Sequence, residues 1–247
     1  EDKAKMFSAF DGAWDVHDVD NIVEQWSNMG EGVEVPEGTT SPRPYSVFMD
    51  VYAGFSRMHM REFGTTQRQL AAIASKNHGH STMNPLSQYT KDFTIDEVLS
   101  AAPVTFPLTI PMCSPISDGA AAAIVCNATG LKKLRAAKAR TMRVLASVIR
   151  TGSNRPATYL EQHCSRIGSK QAYEQANLGP EDIDIAEVHD ASASGEVIES
   201  EALGFCAIGE GGVIAERGET TLGGRIPINV SGGLESKGHP IGATGLG

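Results

Sequence analysis

Apolar residues recur every three or four positions between Val47 and Phe63. They are Phe48, Val51, Tyr52, Phe55, Met58 and Phe63. This spacing places side chains on one face of a helix. Gly64 follows at once, and glycine commonly ends a helix. The pattern predicts an amphipathic helix over Val47–Phe63.

Four further helices are predicted from their end signals. Thr65 or Thr66 caps a helix over residues 67–77. Thr94 has an acidic residue three positions later, which is the spacing of a capping box. The helices predicted later in the chain cover residues 167–177 and 195–203.

Short apolar or alternating runs between these helices predict strands. The four runs are residues 118–125, 143–149, 183–188 and 225–230. Alternation of strands with helices predicts an α/β layered fold. The Gly-, Pro- and Thr-rich residues 31–44 are predicted to form a surface loop.

Composition narrows the classes of partner. The chain has 247 residues, 40% of them hydrophobic, which is enough for one large core or two modest ones. A formal net charge of -9 argues against nucleic acid as the main partner. The longest apolar stretch, residues 120–126, is too short to cross a bilayer. No Cys-x-x-Cys pair occurs and no signal peptide is recognised, so a cytoplasmic location is expected.

Glycines surround a single histidine near the end of the sequence. Ser231 begins a turn after the last predicted strand, and Gly232, Gly233 and Gly238 then lead to His239. Without a Cβ these glycines can adopt positive φ and let a ligand approach the backbone N–H groups. An isolated Gly-His-Pro would more often be an ordinary surface loop, but the longer segment is more specific.

Residues 231–245, Ser-Gly-Gly-Leu-Glu-Ser-Lys-Gly-His-Pro-Ile-Gly-Ala-Thr-Gly, resemble the Gly-His-Pro loop of the thiolase superfamily, specifically its sterol-carrier-protein-type branch. Other segments resemble that branch in the same order, namely residues 76–81 with 84–88, 113–124, 187–190 and 201–212. The resemblance covers most of the chain from about Tyr52 onward.

The resemblance implies a thiolase-like layered αβαβα fold, present here as a partial chain. Residues 1–127 would be the remainder of an N-terminal thiolase domain, 128–142 a linker, and 143–247 a truncated C-terminal thiolase domain. The polar, cationic composition of residues 127–140 independently favours a boundary there. The basic residues of this stretch are interpreted as the solvent-exposed face of a helix or linker.

The resemblance also implies chemistry on a coenzyme A thioester. His239 would activate a nucleophilic cysteine, and His189 would hold the thioester oxygen in an oxyanion hole. Ser231 and the three glycines would contact the coenzyme A substrate. No covalently bound cofactor and no metal are expected. The resemblance also implies that the protein is a homodimer. On sequence grounds alone, His189 could instead be satisfied by the neighbouring Asp190.

Two departures from the family pattern affect this interpretation. Ala191 and Ser192 stand where the branch commonly has Cys-Phe, and alanine cannot transfer a proton. The family's nucleophilic cysteine lies on a segment that would precede residue 1, so we expect the chain to be part of a longer enzyme. Cys113 does not lie in the nucleophile's segment.

Three functions therefore compete. The first is a thiolase-type acyltransferase on a 3-oxoacyl-CoA, acting by thiolytic cleavage or Claisen condensation, which the presence of both histidines favours. The second is a thiolase-like aldolase that cleaves a 3-hydroxyacyl-CoA with a small OB-fold (DUF35-type) partner, which Ala191 favours. The third is a lipid or acyl-CoA carrier.

Other patterns support weaker interpretations. His78 and His80 could chelate a metal, but no further ligand lies at suitable spacing. Residues 242–247 have the wrong glycine order for a dinucleotide-binding loop. An apolar stripe in the first helix suggests either an acyl pocket or, with more weight, plain core. Its members are Tyr52, Phe55, Met58 and Met60.

Overall fold

Helices make up most of the regular structure. The computed structural model describes residues 24–26, 28–43, 45–133, 141–152 and 155–246. The helices longer than three residues are α1 (Val47–Phe63), α2 (Gln67–Ser81), α3 (Ile95–Ser100), α4 (Ala128–Lys133), α5 (Cys164–Ala176), α6 (Ala193–Ala202), α7 (Gly211–Glu216) and α8 (Gly233–Lys237). An antiparallel hairpin joins β1 (Pro103–Thr105) to β2 (Leu108–Thr109).

The prediction for helix α1 is confirmed at both ends. The Ser46 side chain accepts a hydrogen bond from the backbone N–H of Phe48. At the other end Gly64 adopts the left-handed conformation, with φ 75°, and its N–H donates to the Met60 carbonyl. The two caps satisfy backbone groups that a helix terminus otherwise leaves unpaired.

Helix α2 starts after Thr66, one of its two predicted caps, but is longer than predicted. Thr66 and Gln69 exchange the two hydrogen bonds of the box. The helix then continues to Ser81 rather than ending at Asn77. Its last turn carries polar side chains that have buried partners on other elements, so apolar periodicity could not show that the helix continues.

The remaining helix predictions hold within a few residues. Helix α3 has the predicted capping box at Thr94. Helix α5 ends where Asn177 adopts the left-handed conformation, with φ 54°. Helix α6 covers Ala193–Ala202 where 195–203 was predicted.

The core is built around α2. Buried side chains of α1, α2, α3, α6, α7 and the hairpin form one cluster, which comprises Ala53, Leu70, Ala71, Ile73, Ala74, Val98, Val104, Leu108, Met112, Ala193, Val197 and Ala215. Burial of a Leu or Ile side chain contributes about 1.5–3 kcal/mol. A smaller cluster of Phe205, Ile226 and Ile228 lies beneath the segments that lead to the two candidate histidines.

The predicted strands are the main error. Residues 118–125 and 143–149 form no regular strand, and Ile124, Val125 and Ile149 are 83%, 88% and 92% exposed. The prediction that residues 118–125 are buried is therefore wrong. A strand requires hydrogen-bonded neighbours, and no described residue pairs with the backbone of residues 118–125.

Segments 183–188 and 225–230 pair only briefly. A single parallel bridge joins Ala186 to Ile228. Ala186 donates its N–H to Pro227 O at 3.0 Å and accepts from Asn229 N at 2.8 Å. The two segments thus lie side by side, as neighbouring strands would, but their hydrogen-bonded pairing is too short to form a regular sheet.

Parts of the predicted organisation lie outside the described residues. These parts include residues 134–140 of the predicted 128–142 linker and most of residues 1–27. The domain limits 1–127 and 143–247 therefore stay a prediction. Of the helices in the described ranges, none is long and apolar enough to cross a membrane.

Candidate active site

Two histidines that are 50 positions apart in sequence meet in the structure. The imidazole centroids of His189 and His239 lie 5.0 Å apart, with the rings at 83°, an edge-to-face arrangement. His189 follows the segment that pairs through Ala186, and His239 follows helix α8. We call residues 187–192 the His189 loop and residues 238–246 the His239 loop.

The His239 loop is held by two other segments. Ser117 Oγ accepts a hydrogen bond of 2.9 Å from the His239 backbone N–H and donates to the Gln88 side-chain oxygen. The Gln88 backbone N–H donates to Lys237 O at 2.9 Å. Gly238 has φ 111°, and a Cβ there would lie 2.9 Å from Ser117 Oγ. Close approach to protein atoms explains this glycine.

The His239 ring is biased towards the neutral form. Burial lowers its pKa to about 4, and the neighbouring His189 and Lys237 add to the shift. Nδ1 lies 3.0 Å from Thr244 Oγ1. If Nδ1 carries the proton and donates it to Thr244, Nε2 is left as an acceptor.

His189 is exposed at the surface, yet partial desolvation of its ring lowers its pKa and favours the neutral form. Asp190 does not form a hydrogen bond with the His189 ring. The Asp190 carboxylate instead accepts from Leu234 N at 2.7 Å and from Asn77 Nδ2 at 3.0 Å. The alternative in which Asp190 binds the imidazole of His189 is not observed.

The glycines at the start of α8 allow close contact between protein segments. Gly232 and Gly233 have φ 108° and 60° and are buried. A Cβ on Gly233 would lie 2.1 Å from Asp190 Oδ2. Ser231 donates its N–H and its hydroxyl to Glu187, at 2.9 and 2.7 Å. Substrate contact by Ser231, Gly232, Gly233 and Gly238 stays a prediction.

A buried polar network underlies both histidine loops. Lys76 Nζ lies 2.5 Å from Glu196 Oε1 and donates to Ile228 O at 2.8 Å. Asn77 Nδ2 lies within 3.2 Å of carboxylate oxygens of Glu196 and Glu235, in addition to its bond to Asp190. Members of the network come from α2, α6, α8 and the His189 loop.

His78 and His80 cross-link helix α2 to this region. The two ring nitrogens of His78 lie 3.1 Å from Pro111 O and from Ser236 Oγ. His80 Nδ1 lies 3.0 Å from Asn229 O, and its Nε2 accepts from Leu222 N at 3.2 Å. Burial lowers the pKa of both rings. Neither imidazole has a nitrogen free for a metal ion.

No side chain of the Ala191 region replaces the missing thiol. Ser192 is fully buried, and its hydroxyl lies 2.8 Å from Ser194 Oγ. Ala191 O accepts from Ser114 N at 2.9 Å. Burial, with a contribution from Glu235, raises the pKa of the nearby Cys113 thiol, which keeps it protonated.

The apolar stripe of α1 belongs mainly to the core. Met58 is fully buried, and Tyr52 packs against the main cluster. Burial of the Tyr52 hydroxyl raises its pKa to about 12. The core interpretation is confirmed for these two residues.

Sequence reasoning missed four residues that shape the site, namely Gln88, Ser117, Glu235 and Thr244. All four lie in segments that carried the family resemblance, which is the one signal that could have found them. Their roles depend on contacts between segments far apart in sequence, and neither spacing nor hydropathy encodes such contacts.

Comparison with known proteins gives consistent relatives. The family described as Thiolase C-terminal domain-like matches residues 150–246. Sterol carrier protein 2 from Bos taurus is 37% identical over 234 residues, which are 92% of this chain and 42% of that protein. Acetyl-CoA acetyltransferase from Methanothermobacter thermautotrophicus is 38% identical over 218 residues, 86% of this chain and 54% of that protein.

A solved structure described as Ltp2-ChsH2(DUF35) aldolase matches with a TM-score of 0.64 and 22% identity, covering 79% of this chain and 53% of that one. It confirms the thiolase-like α/β fold class. The chain spans 42% and 54% of the length of the two curated relatives above. Both sequence and fold therefore relate this chain to the thiolase superfamily, and specifically to its sterol carrier protein 2-type members.

Proposed function

We propose that this chain supplies the two histidines of a thiolase-type acyltransferase that acts on a 3-oxoacyl-CoA. The observation that carries the proposal is the 5.0 Å edge-to-face approach of His189 and His239. In the thiolytic direction, coenzyme A and the 3-oxoacyl-CoA give acetyl-CoA and a shortened acyl-CoA. Coenzyme A is a substrate here, and no covalently bound cofactor takes part.

His239 takes the thiol proton in this proposal. With Nδ1 donating to Thr244, Nε2 accepts the proton of a cysteine thiol. The lowered pKa of His239 keeps Nε2 free at neutral pH. Once the thiolate forms, the opposite charges stabilise each other and raise the imidazole pKa.

The nucleophile in this proposal is a cysteine outside the 247-residue sequence. Cys113, the cysteine nearest in sequence to the Ser117 contact of His239, is partly buried, and its raised pKa keeps the thiol protonated. The relatives are about twice as long as the matched region, so they have room for such a residue.

His189 donates a hydrogen bond to the thioester oxygen in this proposal. A neutral imidazole can donate from one ring nitrogen, and the lowered pKa of His189 favours that form. Negative charge develops on this oxygen when the thiolate attacks and when an enolate forms. Removal of one such donor typically costs about 10²-fold or more in rate.

The test uses the intact protein with a 3-oxoacyl-CoA and free coenzyme A, followed by loss of the enolate absorbance. His239→Ala should lower kcat/KM by about 10²- to 10⁴-fold. His163→Ala is the matched control and should leave kcat/KM unchanged, because the charged neighbour that influences His163 is Arg155 rather than a group of the site. Absence of thiolysis at every acyl chain length would overturn the proposal.

A second candidate is an aldolase that splits a 3-hydroxyacyl-CoA into an acyl-CoA and a carbonyl product. Ala191 favours it, because this cleavage requires no acid/base thiol at that position. The match to a DUF35-containing aldolase suggests a small OB-fold partner. Incubation with a 3-hydroxyacyl-CoA and such a partner, with detection of the carbonyl product, distinguishes the two.

A lipid or acyl-CoA carrier is the third possibility, which the names of the sterol carrier protein 2 relatives also fit. We do not favour it, because a carrier needs no adjacent neutral imidazoles. The homodimer and the cytoplasmic location stay predictions. Sedimentation of the purified protein tests the first.

A further inference from the structure

Three carboxyl groups and one ammonium group are buried together beneath the two histidine loops. Asp190, Glu196 and Glu235 are at most 1% exposed, and Lys76 is 8% exposed. If all four were ionised, two negative charges would remain uncompensated away from water. Burial of an unpaired charge is so unfavourable that the group normally takes up a proton instead. At least one of these carboxyls is therefore neutral.

Hydrogen bonding distinguishes the three carboxyls. Glu196 accepts from Lys76 at 2.5 Å and from Asn229 Nδ2 at 2.9 Å. Asp190 accepts from Leu234 N and from Asn77. These two carboxylates each have donors on both oxygens. Donors of this kind stabilise the ionised form.

Glu235 differs, because Asn77 Nδ2 is its one donor among the described residues, at 3.2 Å from Oε2. Its other oxygen, Oε1, is buried and has no hydrogen-bond partner in the part of the chain that the structure describes. The amide oxygen of Asn77, Oδ1, is also buried and unpartnered. The two unpartnered acceptors, Glu235 Oε1 and Asn77 Oδ1, thus belong to the same carboxyl and amide groups that the Nδ2–Oε2 hydrogen bond already joins.

A proton on Glu235 Oε1 would satisfy both atoms, because it turns Oε1 into a donor that can bond Asn77 Oδ1. We propose that Glu235 is a neutral carboxylic acid that forms two hydrogen bonds with the Asn77 amide and thereby positions His239. The second part rests on the proposed function, because it concerns the catalytic role of His239.

The electrostatic surroundings agree. Burial raises the pKa of Glu235 well above its ordinary value, and Asp190 and Glu196 raise it further. Burial and Glu196 also raise the pKa of Asp190, so it is the hydrogen bonding, with a Leu234 N–H donor on Asp190 and no described donor on Glu235 Oε1, that assigns the proton to Glu235. The Asn77 hydrogen bond and Lys76 oppose the shift but are smaller causes. The titratable groups around Glu235 are Lys76 from α2, Asp190 from the His189 loop, Glu196 from α6 and Cys113 from the segment after the hairpin.

The pair also links the two histidine loops. Glu235 lies on α8, four residues before His239, and the same Asn77 amide bonds Asp190, the neighbour of His189. One side chain of α2 therefore contacts the elements that carry both imidazoles. A shift of α8 would change the distance between the rings, so Glu235 is a positioning residue rather than a catalytic one.

The decisive experiment compares Glu235→Gln with wild type in the intact protein. A glutamine has the same shape as the neutral acid and can donate to Asn77 Oδ1. Infrared difference spectra at pH 7 should show a protonated-carboxyl C=O band in wild type that is missing from Glu235→Gln. Tm should change by only ~2 °C or less, within the ordinary range for a substitution that preserves contacts.

Glu196→Gln is the matched control, because it removes the carboxylate that pairs with Lys76. Breaking a buried ion pair is strongly destabilising, so its Tm should fall by about 10 °C. A fall of that size in Glu235→Gln, or a protonated-carboxyl band in it as intense as that of wild type, would overturn the proposal.

A positioning role predicts a specific kinetic result. Glu235→Ala should lower kcat at least ~10-fold with little change in KM, whereas Glu235→Gln should keep both. Equal loss in the two variants would overturn the positioning role. The infrared and Tm measurements require no turnover, so a neutral Glu235 in a protein without thiolysis would refute the proposed function alone.

Discussion

Asp190 Oδ1 accepts a 2.7 Å hydrogen bond from the backbone N–H of Leu234. This contact joins the His189 loop to helix α8, and α8 leads directly into the His239 loop. The site therefore depends on a carboxylate that does not itself contact either imidazole. Asp190 is fully buried, so its neighbours determine what happens when it is changed.

Asp190→Ala should destabilise the protein and separate the two histidine loops. The substitution leaves the Leu234 N–H without its acceptor and removes one of the three carboxylate acceptors of the Asn77 amide. Each buried group left unpaired costs about 1–3 kcal/mol. We expect Tm to fall by roughly 5 °C or more, as measured by calorimetry on the intact protein.

Asp184→Ala is the control for this experiment. Asp184 is exposed and lies in the same segment. Its substitution should change the free energy of unfolding by no more than about 0.5 kcal/mol. If the two variants had the same Tm, the Asp190–Leu234 contact would not be holding the loops together.

Gly233→Ala should be more damaging than its small volume suggests. The backbone there has φ 60°, and the added Cβ would lie 2.1 Å from Asp190 Oδ2. A positive φ costs a non-glycine residue about 1–2 kcal/mol, and overpacking adds about 1–3 kcal/mol. We expect a lower urea midpoint with an unchanged slope.

Gly242→Ala provides the comparison, because a Cβ on Gly242 would meet nothing within 4 Å. Its urea midpoint should match that of wild type. Equal midpoints for Gly233→Ala and wild type would mean that α8 can move away from Asp190 at little cost.

The helices were predictable from sequence because their signals are local. Val47–Phe63 has an apolar stripe together with a serine and a glycine cap, all within one short segment. Strands depend instead on distant partners. Residues 118–125 have the composition of a buried strand, yet Ile124 and Val125 are exposed because no described segment pairs with that stretch.

The site was predictable to a different degree. The convergence of His189 and His239 followed from the family resemblance and agrees with the observed geometry. The Asn77–Glu235 pair was not predictable, because hydropathy places Glu235 on a surface. Its full burial results from the contacts that Gly233 allows between α8 and Asp190.

The pKa of His239 should lie well below that of an ordinary histidine, at about 4. As the pH falls from about 6.5, the unfolded chain takes up a proton that the folded ring does not, so stability decreases towards pH 4. Lys237 lowers this pKa by charge repulsion, so Lys237→Gln should raise it. NMR titration of labelled histidine rings measures both values.

Lys170→Gln is the matched control for the Lys237 substitution. Lys170 lies on helix α5 and is not among the groups that shift the His239 pKa. Its removal should leave the titration unchanged. A wild-type His239 that titrates near 6.5 would show that solvent reaches the ring, and the proposed tautomer would lose its support.

Thr244 should matter for rate rather than for stability. Its Oγ1 lies 3.0 Å from His239 Nδ1, and a hydrogen bond there selects the tautomer that leaves Nε2 free. Thr244→Val keeps the shape but removes the acceptor, so we expect kcat to fall by about 10-fold or more with Tm unchanged. Thr244→Ser keeps the hydroxyl and should retain most of the activity. Because the serine variant differs only by a methyl group, equal losses in both variants would assign the effect to packing and would contradict a role for this hydroxyl in orienting His239.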